Sequence, residues 1–439
     1  MRAGDVIAIA LGNALLIVAM WVRHGGLAQL DSAAGAATAA GQVTALLGTY
    51  LALVQVVLMA RTPWLDQLFG MDGLATAHRW VGFGCVWLLV AHAVFTTAGY
   101  AMGDGGTLAG EAWTLVTSYP YVLMATAGLG LLIGVAVASV RAARRRLAYE
   151  TWYGIHLYVY LAIALGFMHE LVVGSDFVDD PVARAYWIVL YVLAAAPVLV
   201  FRLGRPAYLS LRHALRVANV VAEAPGVVSV YVTGRDLDRL PVRAGQFFLW
   251  RFLTRDEWWR AHPFSLSAAP NGRYLRLTVK SVGDGTGLMQ QVRIGTRVFV
   301  EGPYGALTGA RRTRPAVLLI AGGIGITPLR ALLEELPAPP GGLTLLYRAR
   351  RREDLVFRDE LDALMRLRGA TVHYLVGRRG TGDMPGDPLD LASLQRLVPD
   401  VRERDVYLCG PVPMMDSVRR SLRALRVPAA QVHWERFAF

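Results

Sequence analysis

The chain has 439 residues, of which 54% are hydrophobic, and it carries a formal net charge of +12. This length gives room for two or three domains, and the apolar composition indicates a membrane protein. Lys280 is the only lysine, and the arginines form no basic stripe interleaved with aromatic residues, which argues against nucleic-acid binding.

Apolar segments long enough to cross a bilayer fill roughly the first 205 residues. A spanning helix needs about 20 apolar residues, and six segments approach that length: 6–22, 41–60, 79–101, 119–140, 151–173 and 183–203. Beyond them the apolar runs shorten to strand length and charged residues become frequent. The sequence therefore predicts a six-helix transmembrane bundle over residues 1–205, followed by a chemically different soluble half.

Arginines at alternate loops predict the orientation of this bundle. They flank or follow the spans at Arg61, Arg79, Arg146, Arg202 and Arg205. The loop at 102–118 has neither lysine nor arginine, so the positive-inside rule places both termini and the soluble half in the cytoplasm of a cell-membrane protein. Arg2 before an apolar run could mimic a signal peptide, but no convincing cleavage site follows, and we expect an uncleaved first helix.

Four of the nine histidines lie in or directly beside the apolar segments: His78 and His92 belong to the third, with His78 directly before its first residue, and His156 and His169 lie in the fifth. Ionisable side chains at membrane depth usually mark an ion, a proton path or a cofactor. Each pair is separated by roughly 20 Å along its helix. Two neighbouring helices would offer one imidazole each at two depths, an arrangement that can ligate two haem irons. The alternative is that these histidines are hydrogen-bonded packing residues.

The two histidine offsets, 14 and 13 residues, are not equivalent. At about 100° per residue, 14 residues return to nearly the same helix face, whereas 13 residues end about 140° away. The fifth span therefore needs a tightened turn or bend, with Gly166 as the candidate, or its two haems lie at different azimuths. The two cysteines, Cys85 and Cys409, fall in different halves, so we expect no disulfide and no cysteine-based metal site.

Short strands separated by glycine, proline and aspartate turns occupy residues 206–310 and predict a small antiparallel β-barrel. The clearest of these strands are 227–232, 246–250, 273–279 and 297–300. Over residues 311–439 strands alternate with helices, which predicts an α/β domain with a parallel sheet. Its strands are 316–320, 343–347, 371–375 and 405–408.

A glycine-rich turn follows the strand at 316–320 and contains Gly322, Gly323 and Gly325. A strand, such a turn and a helix start make a phosphate site, because small residues admit the anion and amides at the helix N-terminus point towards it. Cys409 and Gly410 follow a later strand, at the edge where ligands of open α/β sheets bind. Alone, glycines after a strand are as often simple tight turns.

The segment His262-Pro263-Phe264-Ser265-Leu266-Ser267 ends a strand of the predicted barrel. An aromatic residue followed by hydroxyls at alternating positions can place one donor against a ring edge. Without further context, a turn that leads into a strand is the simpler interpretation.

Taken in order, these motifs resemble the ferric reductase and NADPH oxidase family, in which a six-helix haem domain is fused to a ferredoxin-reductase-like dehydrogenase. The resemblance covers nearly the whole chain, and the family carries histidines at the same two offsets. It implies that His78 and His156 hold an inner haem b, and that His92 and His169 hold an outer one.

The resemblance also implies the cofactor contacts of the soluble half. The family's flavin signature corresponds to His262, Pro263, Phe264, Ser265 and Ser267, with Ser265 at the flavin N5 region. The segment beside the FAD pyrophosphate corresponds to Lys280, Gly283 and Thr286, and the link between lobes to Gly302. The pyridine-nucleotide pyrophosphate loop corresponds to Gly322, Gly323, Gly325, Thr327 and Pro328, and the nicotinamide side to Cys409, Gly410 and Pro411.

Two further implications concern the nucleotide and the C-terminus. Arg350 and Arg378 can bind a 2′-phosphate, which favours NADPH over NADH, although surface arginines are usually solvated. Family members often end with an aromatic residue stacked on the flavin; the E-x-F pattern here points to Phe437 and the terminal position to Phe439. A strand that packs its aromatic side chain into the core is the alternative for whichever does not stack. Ser265, Cys409 and one of these phenylalanines would then lie beside the reacting atoms.

The function implied is a transmembrane NAD(P)H oxidase that moves electrons from cytoplasmic NADPH through FAD and two haems to external dioxygen, forming superoxide. A ferric chelate or a periplasmic partner protein is the alternative acceptor, and short outer loops without a chelate pocket favour dioxygen. No Asp-rich calcium loop is present, and we expect no obligate regulatory subunit. The intact motifs disfavour a haem-sensing or proton-conducting module with a degenerate reductase tail.

Overall fold

The computed structural model describes residues 2–140, 146–147, 149–174, 178, 180–255, 258–281, 292–378 and 386–435. The chain divides into two compact units, Met1–Phe201 and Arg202–Phe439.

Six helices in the described part of the chain are long and apolar enough to cross a membrane, which confirms the six predicted spans. They lie in Ala3–Arg23 (α1), Ala33–Leu58 (α2), Pro63–Asp104 (α3, whose spanning part is Gly73–Asp104), Val122–Ser139 (α5), Tyr149–Val173 (α6) and a last helix that starts with Pro181–Pro197 (α7) and runs to His213, with the short helix Leu108–Ser118 (α4) between α3 and α5. A π-helical stretch, Val198–Gly204, extends α7 into Arg205–His213 (α8). The protein is a multi-pass membrane protein.

Two boundaries differ from the sequence expectations. Helix α3 begins at Pro63, well before residue 79, and is kinked at Gly70, whose φ is +69°. Polar residues such as Asp66 lower the hydropathy of the helix before residue 79, so a search for apolar runs does not detect this part. The loop expected at 102–118 contains α4, whose first turn is capped by Thr107: its Oγ1 accepts a hydrogen bond from the Gly110 amide at 3.2 Å.

The spanning helices pack mainly as two pairs, α2 along α3 and α5 along α6. Small residues allow the close approach: a Cβ added to Gly41 would lie 2.4 Å from Thr96 Oγ1, and one added to Gly128 would lie 2.9 Å from the Ala162 carbonyl oxygen. Helix α6 is one continuous α-helix with Gly166 in its interior. The structure therefore favours different azimuths for His156 and His169 over a bend at that glycine.

The first half of the second unit, called the flavin lobe below, contains two three-stranded antiparallel sheets in the orders β1-β2-β5 and β4-β3-β6. Their strands are Arg216–Ala224 (β1), Val227–Thr233 (β2), Phe247–Phe252 (β3), His262–Ser265 (β4), Leu275–Lys280 (β5) and Val298–Tyr304 (β6). Isolated bridges join Leu266 to Leu277 and Arg216 to Arg297. One apolar core, which includes Phe248 and Trp250, lies between the sheets.

The second half, called the nucleotide lobe below, has a five-stranded parallel sheet in the order β11-β10-β7-β8-β9, as the alternation of strands and helices predicted. Its strands are Ala316–Gly322 (β7), Leu343–Ala349 (β8), Thr371–Val376 (β9), Arg404–Cys409 (β10) and Val432–Trp434 (β11). Its helices are Ile326–Glu335 (α9), Arg358–Arg368 (α10), Leu391–Leu397 (α11) and Val412–Ala424 (α12). Residues 317–320 are fully buried because apolar clusters cover both faces of the sheet.

Candidate functional site

The imidazole rings of His78 on α3 and His156 on α6 face each other in the first unit. Their centroids are 5.9 Å apart and the ring planes are tilted by 60°. His156 Nδ1 lies 3.4 Å from Ser139 Oγ, which also accepts a hydrogen bond from Trp152 Nε1 at 3.2 Å. The hydroxyl of Ser139 thereby engages one ring nitrogen of His156.

The second pair joins the same two helices. His92 Nδ1 lies 3.0 Å from the Gly41 carbonyl oxygen and 3.2 Å from Thr96 Oγ1. His169 lies within electrostatic range of His92. An Nδ1–H group that donates to a backbone carbonyl fixes the tautomer and leaves Nε2 with a free lone pair, the usual preparation of a metal-ligating histidine.

One ring nitrogen of each of the other two histidines is buried and unsatisfied. The Nδ1 atoms of His78 and His169 are buried and have no hydrogen-bond partner among the described residues. Such groups are costly unless something satisfies the ring. In the described part of the chain no cluster of three or more His, Cys, Asp or Glu residues could hold a metal ion by itself. The facing imidazoles of His78 and His156 fit a metal whose other ligands come from a macrocycle.

The spacing of His78 and His156 fits iron porphyrin. Metal–imidazole bonds of about 2 Å on opposite sides of one ion place the ring centroids roughly 6 Å apart, close to the 5.9 Å between His78 and His156. Helices α3 and α6 make at most marginal backbone contact in the described residues, since each packs along a different partner. The two helices that carry the histidines are thus held apart by their neighbours.

Sequence reasoning missed the residues that orient these rings. Gly41, Thr96 and Ser139 form no motif: Gly41 and Ser139 meet their histidines through helix packing, and Thr96 lies one turn after His92 on α3. It also missed Glu170, next to His169: its carboxylate accepts hydrogen bonds from Thr49 Oγ1 at 2.5 Å and Tyr191 Oη at 2.7 Å. This carboxylate links α2, α6 and α7.

In the flavin lobe, the segment His262–Ser267, called the flavin segment below, begins with β4. The rings of His262 and Phe264 are stacked, with centroids 5.9 Å apart and planes within 8°, because alternate residues of a strand share one face. Trp250 Nε1 donates to the Phe264 carbonyl oxygen at 2.9 Å and holds β4 on β3. Ser265 Oγ is buried without a hydrogen-bond partner among the described residues, so this hydroxyl is free to contact a bound ring.

The other residues expected near FAD differ in their surroundings and in whether their side chains already have protein partners. Ser267 Oγ accepts a hydrogen bond from Thr278 Oγ1 at 2.7 Å, so its side chain already has protein partners. Lys280 Nζ lies 3.7 Å from Asp354 Oδ1 and is partly exposed. Gly302 lies in β6 with φ +141°, and a Cβ there would be 2.9 Å from Phe248. Gly283 and Thr286 lie outside the described residues.

In the nucleotide lobe, the turn Gly322–Pro328, called the nucleotide loop below, lies against the turn after β10. A Cβ on Gly325 would be 2.5 Å from the Cys409 carbonyl oxygen, and one on Gly410 would be 3.0 Å from Gly322 Cα. Glycine is required at these positions because backbone fills the space a side chain would need. Thr327 Oγ1 donates to the Ile324 carbonyl oxygen at 3.0 Å and stabilises the start of α9. The structure thus brings together two segments about 85 residues apart in sequence.

Cys409 is fully buried at the end of β10, directly before Gly410 and Pro411. Burial, and secondarily the Glu435 carboxylate, raises the pKa of its thiol well above the usual value. The side chain therefore stays protonated and uncharged at neutral pH, which suits a packing contact with a ring and not a nucleophile.

Arg350 and Arg378 are exposed, and they follow the adjacent parallel strands β8 and β9 at the same sheet edge as the nucleotide loop. Ligands of open α/β sheets bind at this carboxyl edge. The two phenylalanines considered for stacking on the flavin, Phe437 and Phe439, lie outside the described residues.

Three protein-family models match the chain in succession. A ferric reductase-like transmembrane component matches residues 44–167, an FAD-binding domain residues 213–308, and an oxidoreductase NAD-binding domain residues 319–420. The first range contains His78, His92 and His156, and His169 lies just beyond it.

Curated relatives match about half of the chain. The ferredoxin reductase component of 3-ketosteroid-9-alpha-monooxygenase from Mycobacterium tuberculosis is 33% identical over 239 residues, covering 51% of this chain and 64% of the relative. A flavohemoprotein from Vibrio cholerae is 33% identical over 183 residues, covering 40% of this chain and 45% of the relative. The chain thus spans about half to two thirds of the length of these relatives.

Among solved structures, the flavohem-like FAD/NAD-binding domain of nitric oxide dioxygenase from Vibrio cholerae is 26% identical to this chain. The match covers 51% of this chain and 98% of that domain, with a TM-score of 0.40.

Proposed function

Because the chain joins a ferric reductase-like transmembrane component to FAD-binding and NAD-binding domains, the composition of the ferric reductase and NADPH oxidase-like family, we propose that it is a transmembrane NAD(P)H oxidase. Electrons from cytoplasmic NADPH reach external dioxygen by way of FAD and two haems, and superoxide forms. The proposed domains are the haem-binding bundle at 1–205, an FAD-binding antiparallel barrel at 206–310 and a nucleotide-binding α/β domain at 311–439.

The observation that carries this proposal is the meeting of histidines from α3 and α6 at two levels. His78 and His156 are 5.9 Å apart between ring centroids, and His92 and His169 form the second pair. Bound haems would supply one-electron carriers across the apolar layer, and bound FAD the exchange between a hydride and single electrons. The protein's own contribution is to hold, orient and shield these groups.

The side chains of the second unit have distinct proposed roles. The free Ser265 hydroxyl donates to the N5 region of the flavin, and Phe264 and His262 line the ring and its chain. The nucleotide loop accepts the pyrophosphate with the amide groups at the start of α9. The uncharged Cys409 thiol packs on the nicotinamide side, while Arg350 and Arg378 favour the 2′-phosphate of NADPH.

The orientation follows from the arginines at alternate loops, which place the second unit in the cytoplasm. His78 and His156 then lie near the inner leaflet, and His92 and His169 near the outer one. If two histidines hold each haem iron, dioxygen would not bind that iron directly, and the acceptor would take its electron without binding the metal.

Acceptor tests with purified full-length protein, FAD and NADPH test the proposal. Cytochrome c reduction that superoxide dismutase abolishes is the expected result. Reduction of a ferric chelate that proceeds without oxygen, in the absence of superoxide, would instead identify a ferric reductase. Activity only after addition of a periplasmic extract would point to a partner protein. NADPH oxidation that leads to none of these products would contradict transmembrane transfer.

A further inference from the structure

Two buried arginines lie where the flavin lobe meets the nucleotide lobe, within the second unit. Arg276 on β5 and Arg330 on α9 each expose only 5% of their side chains. Buried guanidinium groups are costly unless they are paired and fully hydrogen-bonded. Each of these two arginines must therefore have partners. These partners lie in the flavin segment or in elements next to the flavin segment and the nucleotide loop.

Both arginines donate to the same backbone oxygen at the end of the flavin segment. Arg276 Nη2 lies 2.6 Å and Arg330 Nη1 lies 3.2 Å from the Ser267 carbonyl oxygen. Arg276 Nε also donates to Ser267 Oγ at 3.2 Å. One cation from each lobe is thus fixed on a single residue, two positions after Ser265.

Two carboxylates of the nucleotide lobe also belong to the network, and Arg330 Nε has no hydrogen-bond partner among the described residues. Glu360 on α10 accepts from Arg276 Nη1 at 3.1 and 3.2 Å and is also paired with Arg330 Nη2. Glu334 on α9 accepts from Arg330 Nη1 at 2.6 Å and from the Ala269 amide at 2.6 Å. Two positive and two negative charges balance, so the network is neutral as a unit.

The chain before α10 is bent to bring Glu360 to this point. Phe357 has a φ of +64°, a left-handed conformation that bulky residues avoid, and its ring centroid lies 4.7 Å from the Arg276 guanidinium carbon. Residues in such conformations persist only where their surroundings fix them. The conformation of Phe357 therefore fixes how α10 approaches the flavin lobe.

The network lies between the flavin segment and the nucleotide loop, which together must bring the flavin and the nicotinamide into contact. Arg330 projects from α9, the helix that begins at the nucleotide loop, and Ser267 ends the flavin segment. We propose that Arg276, Arg330 and Glu360 are positioning residues, which set the spacing of the two segments and thereby align the nicotinamide with the flavin. This inference rests on the proposed function.

The step concerned is the transfer of a hydride, two electrons with one proton, from the reduced nicotinamide ring to the oxidised flavin. It leaves an oxidised nicotinamide and a reduced flavin. Such transfers depend steeply on the distance and angle between the reacting atoms, and a displacement of about 1 Å can cost roughly a hundredfold in rate. A network that fixes the lobes relative to each other therefore acts on the rate more than on nucleotide affinity.

The test is anaerobic stopped-flow reduction of the FAD-loaded full chain by NADPH. The variant Glu360→Gln keeps the shape and removes the charge, and Asp359→Asn is the matched control, an exposed carboxylate one residue earlier on the same helix. For Glu360→Gln we expect a flavin-reduction rate at least tenfold lower at saturating NADPH and a weaker nicotinamide–flavin charge-transfer absorbance. The half-saturating NADPH concentration stays within threefold, and Asp359→Asn behaves as wild type.

A wild-type rate and charge-transfer band in Glu360→Gln would overturn the inference. If that variant does not retain FAD, Arg330→Lys, which keeps the charge but loses the bidentate geometry, is judged by the same two readouts. A wild-type protein whose flavin is reduced by dithionite but by neither NADPH nor NADH would overturn the proposed function, and this inference with it. Normal wild-type reduction with unchanged variants would overturn the inference alone.

Discussion

The imidazoles of His78 and His156 meet with their ring centroids 5.9 Å apart, although they belong to helices that pack along different neighbours. Two polar rings that face each other between apolar helices fit a shared ligand. His92 and His169 lie on the same two helices, within electrostatic range of each other. The predictions below follow from this arrangement and from its counterpart in the second unit.

Replacement of His92 by leucine should remove the outer haem and leave the inner one. External reduction of dioxygen or of a ferric chelate should be lost, because electrons no longer cross the membrane. Reduction of a cytoplasmic-side dye by NADPH should persist, since the flavin segment and the nucleotide loop lie in the other unit. Haem content per chain and both activities are measured on purified protein, and a loss of dye reduction as well would contradict the modular account.

Gly41→Val should disturb the outer haem without changing any ligand. A Cβ at Gly41 would lie 2.4 Å from Thr96 Oγ1, so α2 must move from α3 and the contact between His92 Nδ1 and the Gly41 carbonyl oxygen is lost. Overpacking of this kind costs about 1–3 kcal/mol, and we expect a shift of the outer-haem midpoint potential in a redox titration.

The matched control for that variant is Gly12→Val on α1, where an added Cβ meets no atom within 4 Å. It should leave both potentials unchanged. Equal shifts in the two variants would show that the effect comes from loosening of the bundle and not from His92.

Ser265→Ala should slow flavin reduction while FAD stays bound. The hydroxyl is buried and has no partner in the described residues, and a lost hydrogen bond to a charged or charge-developing group costs about 1.5–3 kcal/mol, or roughly 10- to 150-fold in rate. Single-turnover reduction by NADPH measures it, with Ser421→Ala on α12 as a control away from the flavin segment. An unchanged rate in Ser265→Ala would remove this hydroxyl from the proposed flavin site.

Gly325→Ala should weaken NADPH use selectively. The added methyl would lie 2.5 Å from the Cys409 carbonyl oxygen, whereas Gly386→Ala meets nothing within 4 Å and provides a control in the same lobe. Because the nucleotide loop and the turn after β10 must separate, we expect kcat/KM for NADPH to fall at least tenfold while dithionite still reduces the flavin. A normal kcat/KM would mean that the pyrophosphate is held elsewhere.

Much of the architecture could be predicted from local patterns. Runs of about 20 apolar residues identified all six spanning helices, and the alternation of strands and helices identified the parallel sheet. In both cases the pattern of apolar residues follows the periodicity of the helix or strand that they form, so each element can be recognised from its own sequence. The start of α3 at Pro63 was not predicted, because Asp66 and its polar neighbours interrupt the apolar run that a hydropathy search requires.

The supporting contacts of the sites could not be predicted in the same way. Ser139 meets His156 only because α5 and α6 pack closely, and Glu360 reaches Arg276 only because Phe357 adopts a left-handed conformation. Each contact joins residues remote in sequence or depends on one backbone angle. A residue type at a motif position can be recognised locally, whereas the group that orients it is defined by the folded chain.

The proposed function requires four histidines to hold two haems across the membrane. The most direct measurement is the haem content and the reduced-minus-oxidised absorbance spectrum of the purified full-length protein, compared with the His92→Leu and His78→Leu variants. We predict b-type bands with two haems per chain, and one fewer in each variant. A spectrum without b-type bands, or a haem content that neither substitution lowers, would contradict the account.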